Sequence, residues 1–377
     1  MFARLQEKQR VRLKLSYPAG QTLALTVIIF ALLVTLAEGL ARTTLVQAHV
    51  PFQAYGTNHI QFEIQMRNLE QYVAQNSSPD CFILGTSQAL RSINPQVFAQ
   101  AFKEDSGEEI RCYNFSIVGS SLISTRLFTQ MLIDRYHPKL IILGTSFLDY
   151  IPSNETLPDP RFEDNDWLAY KLGQPTLEGW IVDHSYAFRL LLLFSYSAPN
   201  GLHFGEVSKE IKKWNSQIGA DGYGYSDEVI DVLQAIPSAF WKNFLKQFGE
   251  YKTAPWSLDG LEKILQIARQ SKTQIIIVEM PYHPSLIQPE DSSGHVHPDK
   301  AKLENFVLDT NADIQNIARQ SAVLFWPTSE LNIFPNDGWH DRYHLNYYGG
   351  EIFSQWLARQ VAQAVADGQI TGLAAQK

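Results

Sequence analysis

The chain has 377 residues, of which 45% are hydrophobic and 19% are charged, so it can bury a sizeable core in one large domain or two smaller ones. Its formal net charge is -8, and no basic patch interleaved with aromatic residues follows the N-terminal region, which argues against nucleic-acid binding. Only two cysteines are present, so neither a cysteine-based zinc site nor a disulfide-rich scaffold is expected.

The N-terminus has the pattern of a membrane anchor. Residues 1–18 form a basic tail, and residues 19–41 form an apolar run long enough to cross a bilayer as one helix. The positive-inside rule predicts a cytoplasmic tail and a domain outside the cytoplasm, in the periplasm, held at the inner or plasma membrane. A cleaved signal peptide is the alternative, but the run is long for one and residues 37–41 (AEGLA) do not form a clean cleavage site.

The chain after the predicted span alternates short apolar runs with helical patterns. Residues 42–79 are expected to form an ordered stalk containing one loosely amphipathic helix, and residues 80–370 an α/β domain. Strands are predicted at 81–84, 111–115, 140–143, 274–278 and 322–326. Helices are predicted at 95–102, 121–136, 258–269, 303–319 and 347–366. Five apolar strands that alternate with helices indicate a parallel sheet covered on both faces.

The alternation stops between residues 151 and 257. This insertion is mainly helical in pattern and contains five tryptophans, too many aromatic residues for a disordered linker. Two placements are open: a cap over the carboxyl edge of the sheet, or extra helices packed on its side.

A hydroxyl residue stands at the end of the first predicted strand. Gly85, Thr86 and Ser87 follow the strand directly and precede a helix. Ligands of open parallel sheets bind beyond the carboxyl ends of the strands, where helix N-termini offer free N–H groups. Ser87 is therefore a candidate nucleophile, and the alternative is that Thr86 or Ser87 only caps the helix.

A second polar stretch, residues 337–350, lies between the last strand and the last helix. Asp341 and His344 are three residues apart, which lets the carboxylate accept from Nδ1–H of the imidazole and leaves the other nitrogen as a base. A serine hydroxyl needs such a base to become a nucleophile. His340 competes for that role, and Asn346 is alternatively an N-cap of the last helix.

Two further positions at strand ends are candidates for stabilising an oxyanion. Gly119 follows the second strand and lets a backbone N–H approach a tetrahedral oxygen closely, as the N–H of Ser87 does after the first. Ser146 follows the third strand. The alternatives are a simple turn glycine at Gly119 and a helix cap at Ser146.

Histidine and cysteine offer two weaker sites. His283, His295 and His297 share one loop but have no carboxylate at useful spacing, so no metal and no cofactor are expected, while His283 is a candidate pocket residue because it follows the fourth strand. Cys81 and Cys112 occupy matching positions in two strands that should be neighbours. A disulfide between them is possible outside the cytoplasm but geometrically demanding.

The ordered set of motifs resembles the SGNH (GDSL-like) hydrolase superfamily. Residues 85–87 (GTS) stand where that family has Gly-Asp-Ser, Gly119 matches its second block, and residues 341–344 (DRYH) match its final Asp-x-x-His block. The chain departs from the family at Thr86 and after the third strand, where residues 144–146 (GTS) replace the usual oxyanion-binding asparagine. The resemblance implies a three-layer α/β/α sandwich around a five-stranded parallel sheet.

The anchor and the Asp-x-x-His-Leu-Asn ending are similar to the membrane-anchored DltD-like and polysaccharide O-acetylation branch. That resemblance implies a serine acyltransferase or esterase acting on a cell-envelope polysaccharide or a lipid-linked acyl substrate, beside a membrane-bound O-acyltransferase. Ser87, Asp341 and His344 would form its triad, the N–H groups of Ser87 and Gly119 with Ser146 its oxyanion hole, and Thr86, Asn346 and His283 its substrate contacts. The alternative from another class is a non-catalytic envelope protein that binds glycan or serves as a scaffold for the acyltransferase.

Overall fold

A five-stranded parallel sheet forms the centre of the computed structural model. The structure describes residues 18–49, 53–153, 156–195, 204–229, 238–288, 297–329 and 331–373. The strands are β1 (Cys81–Leu84), β2 (Cys112–Asn114), β3 (Leu140–Thr145), β4 (Gln274–Glu279) and β5 (Leu324–Trp326). Their order in the sheet is β2-β1-β3-β4-β5, and every neighbouring pair is parallel. The predicted parallel sheet of five apolar strands is confirmed.

Helices account for most of the remaining described residues. Before β1 lie α1 (Ala19–Ala41), α2 (Thr44–His49) and α3 (Ile60–Asn76). Between β1 and β3 lie α4 (Ser87–Ser92), α5 (Pro95–Ser106) and α6 (Leu122–Tyr136). Between β3 and β4 lie α7 (Pro160–Glu163), α8 (Asp166–Lys171), α9 (Leu177–His184), α10 (Tyr186–Ser195), α11 (Phe204–Gln217), α12 (Ser238–Lys246) and α13 (Pro255–Ser271). After β4 come α14 (Lys300–Gln320) and α15 (Tyr347–Ala366).

Helices cover both faces of the sheet because alternate strand residues point to opposite sides. On one face Phe82, Ile141 and Ile277 pack against α3, α6, α13 and α14. On the other face Ile83 and Ile142 pack against α4, α5 and α15. The strands are largely apolar because most of their residues are buried between helices, and the architecture is a three-layer α/β/α sandwich.

The segment expected to be a stalk belongs to the domain. The predicted helix is present as α3, but Phe62, Ile64, Met66 and Leu69 are fully buried, and three of them lie in the core cluster beneath the sheet. Its Glu63 carboxylate also accepts hydrogen bonds from the backbone N–H groups of Tyr55 and Thr57. The amphipathic pattern of α3 is weak because its polar residues are buried as well. Hydrogen bonds, rather than apolar contacts, stabilise them there.

The insertion, residues 151–257, packs in two places. One part lies at the side of the sandwich and another part lies over the carboxyl edge of the sheet, so each of the two predicted placements holds for part of the insertion. Trp167 of α8 packs beside Phe62 in the core, and Val207 of α11 packs on Ile64 of α3, both at the side of the sandwich. By contrast, Trp241 of α12 joins Phe147, which follows β3, in a cluster that also holds Leu286 after β4. The helix α12 therefore covers the carboxyl edge of the sheet near β3 and β4.

Helix α1 is long and apolar enough to cross a membrane, and residues 19–37 are exposed. Its last turn contacts the domain. Glu38 accepts hydrogen bonds from the Ser185 hydroxyl at 2.8 Å and from the backbone N–H groups of Tyr186 and Ala187 at 3.0 and 3.1 Å, so it caps α10. Arg42 donates to the His184 carbonyl at 2.8 Å. The basic tail, residues 1–17, lies outside the described residues.

Candidate active site

The turn that presents Ser87 depends on a glycine. Gly85 has a φ of +150°, and a Cβ there would stand 2.5 Å from the Gly144 carbonyl oxygen and 2.7 Å from the Ala89 Cβ. Only glycine lets β1 pass so close to β3 before α4 begins. Ser87 is the first residue of α4, with Thr86 at the N-cap but without a capping hydrogen bond from the Thr86 side chain.

Helix α4 is fastened to β2 by Asn114. The fully buried Nδ2 of Asn114 donates to the carbonyls of Ala89 and Ile93, each at 2.9 Å, and Oδ1 accepts from the Ser116 N–H at 3.0 Å. These bonds satisfy backbone groups of a helix too short to satisfy its own ends. They fix the helix that carries Ser87 relative to the sheet.

Ser87, His344 and Asp341 form a continuous chain of hydrogen bonds. The distance from His344 Nε2 to Ser87 Oγ is 2.7 Å, and the distance from His344 Nδ1 to Asp341 Oδ2 is also 2.7 Å. The three residues come together across 257 positions of sequence because the turn after β1 and the turn before α15 share one edge of the sheet. This is hydrogen-bond reach for a base acting on a nucleophile.

The loop of Asp341 holds its carboxylate in one orientation. Asp341 Oδ1 accepts from the backbone N–H groups of Tyr343 at 2.9 Å and His344 at 2.8 Å, which leaves Oδ2 to the imidazole. Burial alone raises the pKa of Asp341, but the hydrogen bond and charge of His344 and the Tyr343 N–H outweigh burial and lower the pKa below its usual value. The carboxylate is therefore ionised at neutral pH and fixes the proton of His344 on Nδ1.

His340, the rival base, is directed elsewhere. Its Nδ1 lies 2.9 Å from the Ser226 hydroxyl and 3.3 Å from a Glu228 carboxylate oxygen, and its ring centroid is 6.3 Å from that of His344. Burial and the nearby Arg91 charge lower the pKa of His340. Of the two histidines, His344 is the one in contact with Ser87.

The candidate oxyanion donors differ in how free they are. Gly119 has a φ of +67°, and its N–H makes no hydrogen bond within the described residues, as expected of a donor that awaits a ligand. Ser146, by contrast, is fully buried and donates its hydroxyl proton to Gln88 Oε1 at 2.5 Å. Its oxygen also accepts from the Leu148 N–H at 3.3 Å, so Ser146 has no proton left for a substrate.

A cavity of about 120 Å³ opens beside Ser87. Most of its lining residues are polar, including Gln88, Ser121 and Thr156, and Leu148 and Tyr343 add larger apolar surfaces. Gly119 lines the same cavity, so the N–H groups of Ser87 and Gly119 border one space.

One carboxyl group lies in the cavity wall. Burial raises the pKa of Asp149 to about 6, although hydrogen bonds from the Ser146 N–H and the hydroxyls of Thr145 and Thr86 act in the opposite direction. The Ser146 N–H donates to Asp149 Oδ2 at 2.8 Å, and Thr145 Oγ1 donates to it at 3.0 Å. Asp149 thus closes a capping box on the turn after β3 and lines the same cavity as Ser87.

The three predicted substrate contacts have different positions. Thr86 lines the cavity. Asn346 does not, since its Oδ1 caps α15 through the Gly349 N–H at 3.1 Å and its Nδ2 donates to the Asp337 carbonyl at 2.6 Å. His283 also lies outside the cavity lining and packs edge-on against Trp339 with its Nδ1 2.7 Å from the Ser285 hydroxyl.

The described residues contain no group of three or more His, Cys, Asp or Glu side chains placed to hold a metal ion. His295 of the histidine loop lies outside the described residues. Cys81 and Cys112 are register partners in neighbouring strands, as expected, and both are buried free thiols.

Two residues of the site were not predicted as site residues. Gln88 follows Ser87 directly. The sequence signal that could have pointed to it is a polar residue at the second position of a helix whose neighbouring residues are buried. Asp149 stands three residues after Ser146, which is the capping-box spacing.

No protein-family model matches the sequence, and no curated protein matches it significantly. Among solved structures, a GDSL-like lipase from Bacteroides thetaiotaomicron is similar with 9% identity, over 81% of this chain and 99% of that chain, at a TM-score of 0.36. A catalytic mutant of an acetylxylan esterase from Geobacillus stearothermophilus is similar with 10% identity, over 79% of this chain and 96% of that chain, at a TM-score of 0.34.

Proposed function

We propose that the chain is a membrane-anchored SGNH-type serine esterase or acyltransferase acting outside the cytoplasm on O-acyl groups of a cell-envelope glycan or a lipid-linked substrate. The observation that carries this proposal is the chain of two 2.7 Å hydrogen bonds from Ser87 Oγ through the His344 imidazole to Asp341. The parallel sheet in the order β2-β1-β3-β4-β5 agrees with it, with Ser87 at the start of α4 and both Asp341 and His344 in the loop before α15.

The proposed reaction begins with attack by Ser87 Oγ on the ester carbonyl carbon. His344 Nε2 takes the hydroxyl proton as the C–O bond forms, and the N–H groups of Ser87 and Gly119 donate to the oxyanion. When the tetrahedral intermediate collapses, His344 returns the proton to the departing alkoxide and leaves an acyl-enzyme. Water or an acceptor hydroxyl then attacks the acyl carbon by the same route in reverse, which gives hydrolysis or transfer.

The cavity favours a short acyl group. Its volume of about 120 Å³ is small beside the roughly 300–1,000 Å³ of pockets that take drug-sized ligands. An acetyl-sized group fits a space of this size, whereas a long fatty acyl chain does not.

The contacts of α1 support an anchor that stays on the mature protein. Ala41 is buried, Glu38 caps α10, and Arg42 binds the His184 carbonyl, so the end of the helix is part of the folded domain. A cleaved signal peptide would take these contacts with it. The proposal also includes a membrane-bound O-acyltransferase as partner and a place in the DltD-like branch. These two parts of the proposal rest on the anchor and on the Asp-x-x-His-Leu-Asn ending.

The test uses the full-length protein in detergent. Wild type is expected to hydrolyse p-nitrophenyl acetate and to take one fluorophosphonate label on Ser87, and Ser87→Ala to lose both. Ser120→Ala is the matched control, because Ser120 lines the same cavity but its hydroxyl donates to the Ile117 carbonyl. Mass spectrometry of envelope glycans and lipids from cells with and without the protein would then name the acyl group and its carrier.

A wild type that takes no label, together with a Ser87→Ala strain whose envelope acylation is unchanged, would contradict the proposal. The non-catalytic alternative, a glycan-binding or scaffold protein beside an acyltransferase, would then be the better account.

A further inference from the structure

Gln88 has a side-chain amide with one end bonded and the other end free. The residue is 3% exposed and lines the cavity beside Ser87. Its Oε1 accepts the Ser146 hydroxyl proton at 2.5 Å, whereas its Nε2 is buried without a hydrogen-bond partner in the described part of the chain. A buried amide N–H without a partner is unfavourable, because it has lost its hydrogen bond to water and gained none in the protein.

Ser146 fixes which end of the amide is free. Its hydroxyl donates to Gln88 Oε1 at 2.5 Å, so the carbonyl end of the amide faces Ser146, and its oxygen accepts from the Leu148 N–H. Ser146 is itself held by the capping box with Asp149. The NH₂ end of Gln88 is therefore the end without a partner, and Gln88 lines the same cavity as Ser87 and Gly119.

We propose that Gln88 Nε2–H is the third donor to the oxyanion, beside the N–H groups of Ser87 and Gly119. This inference rests on the proposed esterase function. As Ser87 Oγ bonds to the carbonyl carbon, the π electron pair moves onto the carbonyl oxygen, and Gln88 donates a hydrogen bond to that oxygen without transferring its proton. Ser146 is a positioning residue that acts through Gln88.

The first test replaces the amide with a side chain of similar length that has no donor. Gln88→Met in the full-length protein is expected to lower kcat for p-nitrophenyl acetate by about 10²–10³-fold, the usual loss for one oxyanion donor, with KM changed only a few-fold. Ser146→Ala is expected to lose less, because the amide remains but is no longer oriented. The double variant should be no slower than Gln88→Met, because Ser146 acts only through Gln88.

A second test separates oxyanion stabilisation from a structural role. A thionoester puts sulfur, a weak hydrogen-bond acceptor, where the oxyanion would develop. Wild type should prefer the oxygen ester over the thionoester, and this preference should shrink in Gln88→Met by a factor similar to the loss in kcat. A packing defect would slow both substrates equally and leave the ratio unchanged.

The outcomes are distinguishable. If wild type is labelled and active but Gln88→Met keeps more than about a tenth of kcat, the role of Gln88 is overturned while the esterase function stands. If thermal unfolding shows that Gln88→Met does not fold, the same comparison of oxygen ester with thionoester is made with Ser146→Ala. A Ser146→Ala variant whose preference for the oxygen ester equals that of the wild type overturns the inference. A wild type with neither label nor activity overturns the proposed function and the oxyanion role with it.

Discussion

Replacing Asp341 with asparagine should stop His344 from acting as a base without disturbing the loop. Asp341 Oδ1 accepts from two backbone N–H groups, so the carbonyl oxygen of the new amide would take over those bonds in Asp341→Asn. Its NH₂ group would then face His344 Nδ1, which lies 2.7 Å from the carboxylate in the wild type. A donor at that position requires Nδ1 to accept, which puts the imidazole proton on Nε2, facing Ser87.

The expected loss is large because the wrong nitrogen is protonated. In a serine triad this change lowers kcat by about 10⁴-fold, or about 5.5 kcal/mol of transition-state stabilisation. The geometry of the loop should be kept, so thermal stability should change little and KM for p-nitrophenyl acetate should stay within a few-fold. Because the block is the tautomer, activity should partly return at high pH, where hydroxide can take the serine proton directly.

The assay is steady-state hydrolysis by detergent-solubilised protein, with thermal unfolding as the check on the fold. Asp337→Asn is the matched control, since Asp337 is an exposed acid in the same stretch whose side chain does not contact the triad. An Asp341→Asn variant that folds and keeps more than about a tenth of wild-type kcat would refute the orienting role of Asp341.

Three other changes test the supports of the site. Asn114→Ala should cost about 3 kcal/mol in urea unfolding, because three buried backbone groups lose a partner, and a loss under about 1 kcal/mol would contradict this. Asp149 has a pKa of about 6 in the folded protein against an ordinary value of 3.8, so its protonated form stabilises the fold fully below pH 3.8 and this stabilisation is lost as the pH rises through 6. Over that window the free energy of unfolding of the wild type should fall by up to about 3 kcal/mol relative to Asp149→Asn. A difference between the two proteins that does not change with pH would contradict this. Glu38→Ala should uncap α10, and spin-label distances between α1 and the domain should broaden; an unchanged width would speak against docking.

The sequence predicted the sheet and the turn that carries Ser87 well, for a physical reason. A strand covered on both faces must be apolar along its whole length, so β1, β3 and β4 stand out as unbroken runs. The carboxyl ends of parallel strands share an edge, so Ser87 and His344 could be brought together by topology without any knowledge of their distance.

The polar parts of the structure could not be predicted in this way. Helix α3 buries Gln61, Glu63 and Gln65, whose polar groups are satisfied by hydrogen bonds. Because a prediction from apolar periodicity counts such polar residues as exposed, it assigns the helix to the surface. The role of Ser146 was hidden for the same reason, because a hydroxyl can donate to a substrate or to a neighbouring side chain, and only its contact with Gln88 decides between them.

If the chain is the membrane-anchored enzyme proposed above, the capping of α10 by Glu38 fixes the height of Ser87 above the bilayer. A domain on a loose tether would reach substrates throughout a hemisphere above the bilayer, whereas one docked on the last turn of its span keeps a single height and tilt. Its search then becomes two-dimensional, along the plane of the membrane. Under the same proposal, substrates would have to arrive at that level, so the length of the carrier that presents the acyl group would contribute to selectivity.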